Sequence, residues 1–383
     1  MNDTNIADIV DRLFEDAISE QASDIHIEPQ KQEAIIRYRV DGLMKVAHQL
    51  DLSIYLLIVS RIKILTELDT TGHPRPQEGK IKFRYIDRDV DLRVSIMPTS
   101  VGECIVIRIL ESVETFSNYS DLGMLDEQAR IVNDVIKKPY GLILVTGSNG
   151  SGKSTTLFRI LNNLNSPEKT IATLEDPVER RMDMLRQTQV DPDIGLTFAA
   201  GLRFLMRQDP NIIMVGEIRD KETAQIAVQA AVTGHLVFAT IHTNNAAGAI
   251  IRLINMEVEP YLISTALKMV TAQRLAREIC PDCKKIAEPP AELVKSLNLP
   301  KDIKFYEGTG CEKCNGKGFR GRQGIHEILM INRQIQDLIL KNPSDSQINT
   351  IAKQSGMMSL REAALKKVAT GVISLEEALR LTE

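Results

Sequence analysis

The sequence predicts two domains of different class, an α+β domain followed by an α/β domain built on a parallel sheet. The chain has 383 residues, more than a single hydrophobic core usually supports. Residues 1–111 show helical periodicity and then mainly strand patterns, whereas from Gly123 to the end, at 383, apolar strands alternate with helices, an order typical of a parallel sheet. A polar, weakly patterned stretch at 112–122 separates the two, and we expect it to be a flexible linker.

The bulk composition is that of an ordinary soluble globular protein. Hydrophobic residues make up 43% of the chain, charged residues 26%, and the net charge is -4, which excludes disordered and fibrous classes. This charge gives no overall attraction to nucleic acid or anionic lipid. No stretch approaches the about 18 apolar residues that span a bilayer, and residues 1–10 lack a secretory signal. We therefore expect a cytosolic protein.

Hydrophobic periodicity predicts the elements of the N-terminal domain. A helix is predicted at 6–19, where Ile6, Ile9, Val10 and Leu13 recur at helical spacing, and Thr4 is available as its N-cap. Strand patterns alternate with turn residues between 24 and 50. The remaining predicted elements are a helix at 52–68 and strands at 81–85, 90–96 and 104–110.

The second domain is predicted to alternate between strand and helix. Its predicted strands lie at 142–146, 170–174, 212–215 and 236–241, and its predicted helices at 153–164 and 224–233. The chain closes with helices at about 331–383, for which Ser344 and Ser374 are candidate N-caps.

The strongest motif is a phosphate-binding loop between a predicted strand and a predicted helix. The segment Gly147–Ser154 matches G-x-x-x-x-G-K-[ST]. Its glycines let successive N–H groups point at phosphate oxygens, and the following helix adds its positive end. The alternative is a glycine turn without a ligand. The expected nucleotide-binding residues are Gly147, Ser148, Asn149, Gly150, Ser151, Gly152, Lys153, Ser154 and Thr155.

Phosphoryl transfer also needs acidic residues close to the phosphates, and strand ends supply candidates. Glu175 follows the predicted strand at 170–174, and Glu217 follows that at 212–215. Two histidines, His235 and His242, bracket the strand at 236–241. A lone acid at a strand end is more often a solvated cap, and a lone core histidine is more often structural. Beside a phosphate-binding loop, we interpret Glu175, Glu217 and His242 as functional.

These segments together resemble a known family. In order and spacing, the loop, Glu175-Asp176-Pro177, Gly216–Asp220 and the two-histidine segment resemble the Walker A, Asp box, Walker B and His box of the GspE/PilB family of type II secretion and type IV pilus ATPases. The likeness continues N-terminally through 22–29, 37–42 and 93–95. The resemblance implies a RecA-like motor domain, a PAS-like N-terminal domain, and a hexameric ring that binds ATP and Mg2+.

The resemblance also implies roles for individual residues. Glu175 resembles the carboxylate that activates water, Glu217 the Walker B acid near magnesium, and Ser154 a magnesium ligand. Arginines complete the nucleotide clamp in the family, and by motif position Arg93 and Arg219 are the best candidates here, ahead of Arg203 and Arg207. The alternative for each arginine is an ordinary surface ion pair.

Three segments depart from the family pattern. Ser148-Asn149 stand where the family usually has Pro-Thr, which leaves the glycines and Lys153 intact. Ala200 stands where relatives often have an arginine, and the stretch 71–80 keeps only the end of R-x-P-Q-D-G. The chain also begins directly at the PAS-like region, where many relatives carry a further docking domain.

Four cysteines form a second strong signal. Cys280-Pro-Asp-Cys283 and Cys311-Glu-Lys-Cys314 are two C-x-x-C pairs, a pattern that predicts a closed tetrahedral Zn2+ site in a module at about 278–322. The alternative is a disulfide or redox pair. Cys104 stands alone in an apolar strand and is expected to be a buried hydrophobe.

The family also implies partners and a location. The tetracysteine module resembles that of assembly and secretion ATPases, so it favours extension or export over retraction. We expect a homo-hexamer, peripheral at the inner membrane through an inner-membrane platform protein and a cytoplasmic adaptor. The sequence leaves open whether the machine is a secretion system, a pilus or a competence system.

Two other functional classes remain as alternatives. One is a nucleic-acid translocase, raised by basic residues at Lys284-Lys285 and 313–322, although we do not expect nucleic-acid binding because interleaved aromatic residues are lacking apart from Phe319. The other is a scaffold that binds nucleotide without hydrolysing it.

Overall fold

The computed structural model describes residues 5–71, 73–110, 118–289, 294 and 303–382. The chain forms two compact units, Met1–Glu114 and Thr115–Glu383, and each has its own hydrophobic core. Of the predicted linker at 112–122, residues 112–117 lie outside the described ranges, as do Thr4 and the stretches 290–293 and 295–302 of the predicted cysteine module.

The N-terminal unit is an antiparallel sheet with two helices. Its elements are α1 (Ile6–Ser19), β1 (Ala22–Pro29), β2 (Glu33–Val40), β3 (Leu43–Asp51), α2 (Leu52–Leu65), β4 (Gln77–Tyr85), β5 (Arg88–Thr99) and β6 (Gly102–Leu110). The strand order is β3-β2-β1-β6-β5-β4. Alternate residues such as Ile25 and Ile27 of β1 enter one core with α1 and α2. Asn5 caps α1 by accepting a hydrogen bond from the N–H of Ala7.

The C-terminal unit alternates strands and helices before its cysteine module. The first elements are α3 (Asp126–Val135), β7 (Gly141–Thr146), α4 (Lys153–Leu164), β8 (Ile171–Glu175), β9 (Leu185–Gln189), α5 (Phe198–Leu205), β10 (Ile212–Val215), α6 (Lys221–Val232), β11 (Leu236–Ile241), α7 (Ala246–Asn255), α8 (Pro260–Ala266) and β12 (Leu267–Ile279). The later ones are β13 (Lys284–Ala287), β14 (Phe305–Gly308), β15 (Phe319–Met330), α9 (Arg333–Ile339), α10 (Asp345–Gln354), α11 (Leu360–Ala369) and α12 (Leu375–Thr382).

Seven of these strands form one sheet in the order β15-β12-β7-β11-β10-β8-β9. All neighbours from β12 to β9 are parallel, and β15 runs antiparallel to β12. The carboxyl ends of β7, β8, β10, β11 and β12 therefore meet at one edge of the sheet. Open parallel sheets bind ligands at that edge.

Both faces of this sheet are covered by helices. Leu142 and Leu144 of β7 point into a core with α5 to α8, whereas Ile143 and Val145 point into a second core with α3 and α4. A strand buried on both faces is apolar throughout, as a parallel sheet requires. The predicted mixed α/β architecture is confirmed.

Several details differ from the predictions. The strands β9, β12 and β15 were not predicted, although β12 and β15 are the longest of the large sheet.

The two predicted helix caps are confirmed. Ser344 caps α10 by accepting from the N–H of Gln347, and Ser374 accepts from the N–H of Glu377. Over the described ranges, none of the helices combines the length and the apolar character that crossing a bilayer requires.

Candidate functional site

The phosphate-binding loop links β7 to α4 with a backbone that requires glycine. Gly147, Gly150 and Gly152 have φ values of 150°, 72° and 84°, and the last two lie in the left-handed region. A Cβ on Gly147 would lie 2.4 Å from the carbonyl oxygen of Gln273, and one on Gly152 would lie 2.7 Å from the Nε2 of Gln273. The loop therefore bends tightly against β12, which leaves only its outer side open.

The polar groups of the loop are arranged to receive an anion. The Lys153 ammonium donates to the carbonyl oxygens of Gly147 and Ser148, both at 3.0 Å. Burial lowers the pKa of Lys153, while the charges of Glu217 and Glu179 act in the opposite direction. The Ser151 hydroxyl oxygen is buried without a hydrogen-bond partner in the described structure. A half-buried ammonium and an unpartnered hydroxyl at a helix N-terminus fit a phosphate group.

Glu175 is a buried carboxylic acid at the carboxyl end of β8. Its Oε1 accepts from the Thr173 hydroxyl at 2.5 Å and from the Gln187 amide at 3.0 Å. Burial raises the pKa of Glu175, and the two hydrogen bonds oppose that effect. No lysine or arginine is paired with Glu175 among the described ion pairs. A carboxylate with a raised pKa and neutral partners is suited to accept a proton.

Glu217 follows β10 and lies at the centre of a charged cluster. Its carboxylate accepts a short hydrogen bond from the Arg219 guanidinium, and its Oε2 lies 3.4 Å from the His242 Nε2. Arg219 also reaches Asp176, with 3.5 Å between Nη1 and Oδ2. The negative partners raise the pKa of Arg219. Asp176, Glu217, Arg219 and His242 thus form one connected group.

The sheet brings most of the predicted site residues together. The loop follows β7, His242 follows β11, Glu217 follows β10 and Glu175 ends β8, and these strands are consecutive neighbours. His235, in contrast, precedes β11 at the opposite sheet edge, where its Nδ1 lies 3.0 Å from the Ala230 carbonyl oxygen. The geometry therefore separates the two histidines.

The remaining predicted arginines have other surroundings. Arg203 pairs with Glu222 at 2.5 Å, and Arg207 lies over the ring of Phe204. Ala200 lies in the first turn of α5, where Thr197 caps its N–H. Arg93 belongs to β5 of the N-terminal unit, where its nearest ion-pair partner, Glu78, is 3.9 Å away.

Three polar side chains of the site were missed in the sequence. Gln273 on β12 contacts both the loop and α4, Gln187 on β9 contacts Glu175, and the Thr146 hydroxyl accepts from the N–H of Thr243 at 2.8 Å. Gln273 and Thr146 are buried polar residues on strands that are otherwise mostly apolar. A polar residue within an apolar strand is the one sequence signal that could have indicated them.

The four cysteines converge on one point. Their sulfur atoms all lie within 4.8 Å of one another. The pairs Cys280–Cys311, Cys283–Cys314 and Cys311–Cys314 have Sγ–Sγ distances of 3.9, 3.8 and 3.7 Å. A tetrahedron with Zn–S bonds of about 2.3 Å has edges of about 3.8 Å, whereas a disulfide requires about 2.05 Å. The thiol geometry therefore fits a closed zinc site, and the four cysteines are free of disulfide bonds in this structure.

The surroundings of the four thiols are also those of a metal centre. The N–H groups of Cys311 and Gly318 donate to the Cys314 sulfur at 3.2 and 3.3 Å, as expected around thiolate ligands. Cys280 directly follows β12, and β15 begins shortly after Cys314. Of the nearby basic residues, Lys313 and Arg320 both pair with Asp282.

Comparisons with known proteins agree with this geometry. A family model described as type II/IV secretion system protein matches residues 1–380. The type II secretion system ATPase E of Vibrio cholerae is 46% identical over 384 residues, covering 100% of this chain and 76% of the relative. The type IV pilus assembly ATPase PilB of Thermus thermophilus is 44% identical over 377 residues, covering 97% of this chain and 42% of the relative.

The fold has a solved counterpart in the ATPase DotB of Legionella pneumophila. The two structures superpose with a TM-score of 0.71 over 97% of this chain and 95% of DotB, at 21% sequence identity. The resemblance that the four motifs predicted is confirmed: because the family model matches residues 1–380, this chain belongs to the type II/IV secretion system protein family.

Proposed function

We propose that this protein is a magnesium-dependent ATPase motor that powers pilus or pseudopilus assembly, or type II protein secretion. The observation that carries the proposal is the juxtaposition, at one sheet edge, of a glycine loop with Lys153 and two carboxylates, Glu175 and Glu217. A phosphate cradle without acids would bind nucleotide, whereas the acids add what hydrolysis needs. Relatives named as a secretion ATPase and a pilus assembly ATPase support the same conclusion.

Each part of the site has a task in ATP hydrolysis. The loop N–H groups and Lys153 hold the phosphates and neutralise their charge. Glu175, which is buried and has only neutral hydrogen-bond partners among its described contacts, orients the attacking water and takes its proton. Arg219 and His242 are both in contact with Glu217. Arg219 supplies positive charge near the reacting phosphate, and His242 supplies a hydrogen bond.

Two metal ions are part of the proposal. Ser154, in the first turn of α4, and Glu217 would hold Mg2+, which neutralises phosphate charge when bound. The glycine cradle and the carboxylate beside Lys153 fit such a complex. Cys280, Cys283, Cys311 and Cys314 would hold a structural Zn2+ with no open position for catalysis.

The N-terminal unit offers a cationic row for the proposed clamp. Arg93 of β5 is opposite Lys80 of β4 and Arg108 of β6 in the sheet register, so the three side chains share one face. Like charges directly opposite each other destabilise a sheet. An anion bound along this row would offset the repulsion, which supports Arg93 as a contact for the nucleotide phosphates.

We further propose that the motor is a homo-hexamer located peripherally at the cytoplasmic face of the inner membrane. A platform protein of that membrane and a cytoplasmic adaptor would be its partners. The four-cysteine centre supports assembly or export rather than retraction. The PAS-like character of the N-terminal unit and a linker between the two units remain parts of this proposal, although Tyr119 and Leu122 of the predicted linker at 112–122 are buried in the C-terminal unit.

The proposed activity is tested by measuring ATP hydrolysis of the full chain with and without Mg2+. We expect Lys153→Ala and Glu217→Ala to lower kcat by about 100-fold or more, because each removes transition-state charge stabilisation. Lys169→Ala is the matched control, since Lys169 is exposed and precedes β8 at the opposite sheet edge. Full activity in both site variants would refute the site. Stimulation by DNA would instead favour a nucleic-acid translocase.

A further inference from the structure

We propose that Gln273 is a positioning residue that holds the phosphate-binding loop in its binding shape from the neighbouring strand. The proposal rests on the proposed nucleotide site and adds a residue that lies outside the loop motif. Gln273 is located on β12, more than 100 positions along the chain from Ser151 and Thr156, which it contacts.

The contacts of Gln273 use its whole side-chain amide. Its Nε2 donates to the carbonyl oxygen of Ser151 at 2.6 Å, and its Oε1 accepts from the Thr156 hydroxyl at 2.8 Å. The Ser151 carbonyl can only accept a hydrogen bond, so the amide NH2 group must face it and Oε1 must face the hydroxyl. Gln273 and Thr156 are 3% and 1% exposed. One amide therefore connects the loop, α4 and β12.

The position of this amide explains why it acts on the shape of the loop. The backbone of Gln273 is also close, because its carbonyl oxygen would lie 2.4 Å from a Cβ on Gly147. The side chain thus supports the loop from behind, and its two polar atoms are already engaged. By satisfying the Ser151 carbonyl on the β12 side, Gln273 fixes the orientation of that peptide group in the loop.

Loss of the amide should weaken nucleotide binding more than it weakens the fold. Without it, the Ser151 carbonyl is left buried and unpaired, and the loop must change shape to reach water. Gln273→Glu is the more informative substitution, because the glutamate side chain has nearly the same shape and can still accept a hydrogen bond from Thr156. A carboxylate cannot donate to the Ser151 carbonyl, and it adds negative charge behind a site for anions.

The experiment measures the Kd of a fluorescent ADP analogue with Mg2+, using the full chain. We expect Kd to rise by about tenfold in Gln273→Ala and by more in Gln273→Glu, as the loss of a buried hydrogen bond predicts. Thr156→Val is the matched control, because it breaks the other hydrogen bond of the same amide and keeps the loop contact. Its Kd should stay within about threefold of the original chain.

Thermal midpoints without nucleotide separate positioning from simple destabilisation. We expect Gln273→Glu and Thr156→Val to have similar midpoints while their Kd values differ. Kd values within twofold of the original chain in both Gln273 variants would overturn the inference, and so would Kd losses that simply follow the thermal midpoint across all three variants. Failure of the original chain itself to bind the analogue would instead overturn the proposed function.

Discussion

At the residue scale, Gln187 and Thr173 lower the proton affinity of Glu175 against the larger, opposite effect of burial. Both donate to the same carboxylate oxygen, at 3.0 and 2.5 Å. Hydrogen bonds to the ionised form favour it, so they oppose the rise in the pKa of Glu175 that burial causes. The proposed base must be ionised to accept a proton, which makes these two neutral side chains part of the pH dependence of the enzyme.

We predict that Gln187→Leu moves the acid limb of the pH–activity profile to higher pH. Removing one donor raises the pKa of Glu175 further, so the base is protonated at a higher pH and activity is lost earlier as the pH falls. The measurement is kcat/KM for ATP between pH 5 and 9.

Gln189→Ala is the control for this change, since Gln189 has the same side chain, lies on the same strand and is exposed. Gln187 also bonds the backbone at Arg180 and Met182, so a thermal melt checks that the variant folds. An acid limb identical to that of the original chain would show that Glu175 is not the titrating base.

At the scale of elements, the N-termini of two helices converge on one buried carboxylate. Glu327 of β15 accepts from the N–H of Ala246, at the start of α7, and from the N–H of Leu360, at the start of α11, at 2.9 and 3.3 Å. Burial raises the pKa of Glu327, while both hydrogen bonds favour the charged form. One side chain therefore satisfies orphan donors of two helices that are far apart in sequence.

We predict that Glu327→Ala lowers the free energy of unfolding of the C-terminal unit by about 2–4 kcal/mol, because two buried N–H groups lose their acceptor. Urea unfolding followed by circular dichroism measures this change. The control is Glu376→Ala, since Glu376 is another carboxylate at a helix N-terminus, in the first turn of α12, but is exposed. A loss for Glu327→Ala no larger than that of the control would contradict the double-capping role.

The long strands β12 and β15 connect the nucleotide site to the cysteine centre. Gln273 lies within β12, Cys280 follows that strand directly, and the Cys280 N–H donates to the Gly318 carbonyl at 3.0 Å. The four thiols therefore close the end of the β12–β15 pair. A metal bound by the four thiols would stabilise this end of the β12–β15 strand pair, which carries Gln273.

We predict one Zn2+ per chain, lost in Cys283→Ser and in Cys314→Ser. Removing one thiolate opens the tetrahedral site and lowers its affinity strongly. Metal content measured by mass spectrometry, together with the thermal midpoint, tests this. Cys104→Ser is the control, because Cys104 lies on β6 of the N-terminal unit. Equal zinc content in all three variants would exclude the four-thiolate site.

The sequence predicts an element well when the pattern that marks it lies within a short segment, and poorly when the element depends on contacts between distant residues. The helices at 6–19 and 153–164 and the strands at 212–215 and 236–241 were predicted with the bounds observed, because periodicity and caps are local. The strand β12 was missed, since Gln273, Arg274 and Arg277 interrupt its apolar pattern. Those polar residues belong to contacts with the loop, Asn244 and Glu377, which are not local.

The same distinction separates the parts of the candidate site. The phosphate-binding loop and the C-x-x-C pairs were recognisable because the residues of each motif are close together in the sequence. Gln187 and Gln273 were not, because each meets its partner only through the order of strands in the sheet. Positioning side chains such as Gln187 and Gln273 are therefore identified only from a structure, whereas the two ligand-binding motifs can be identified from the sequence.

The two units matter at the scale of the whole molecule, because the proposed motor needs both. Arg93 lies in the N-terminal unit between Lys80 and Arg108, and the nucleotide loop lies in the C-terminal unit. Arg108 is already paired with Asp24 at 3.1 Å, whereas the Glu78 partner of Arg93 is distant at 3.9 Å and mostly exposed. Arg93 is thus the better placed of the two arginines to bind a new anion.

We predict that Arg93→Ala lowers the ATPase kcat of the full chain by about tenfold or more. A clamp arginine acts on charge that develops during hydrolysis, so kcat falls more than the affinity for ADP. Arg84→Ala is the matched control, because Arg84 lies on the adjacent strand β4 and is paired with Asp89 at 3.1 Å.

The dependence of this effect on protein concentration distinguishes a clamp within a ring from a local contact. If the clamp forms between subunits of a hexamer, the activity per chain of the original protein rises with concentration as rings assemble, and Arg93→Ala removes most of that rise. Sedimentation with a non-hydrolysable ATP analogue gives the assembly state of both proteins under the same conditions. Rings that form equally well but hydrolyse ATP slowly in Arg93→Ala are the expected result. Equal kcat values in the assembled state would contradict the clamp, and a monomer at every concentration would contradict the hexamer.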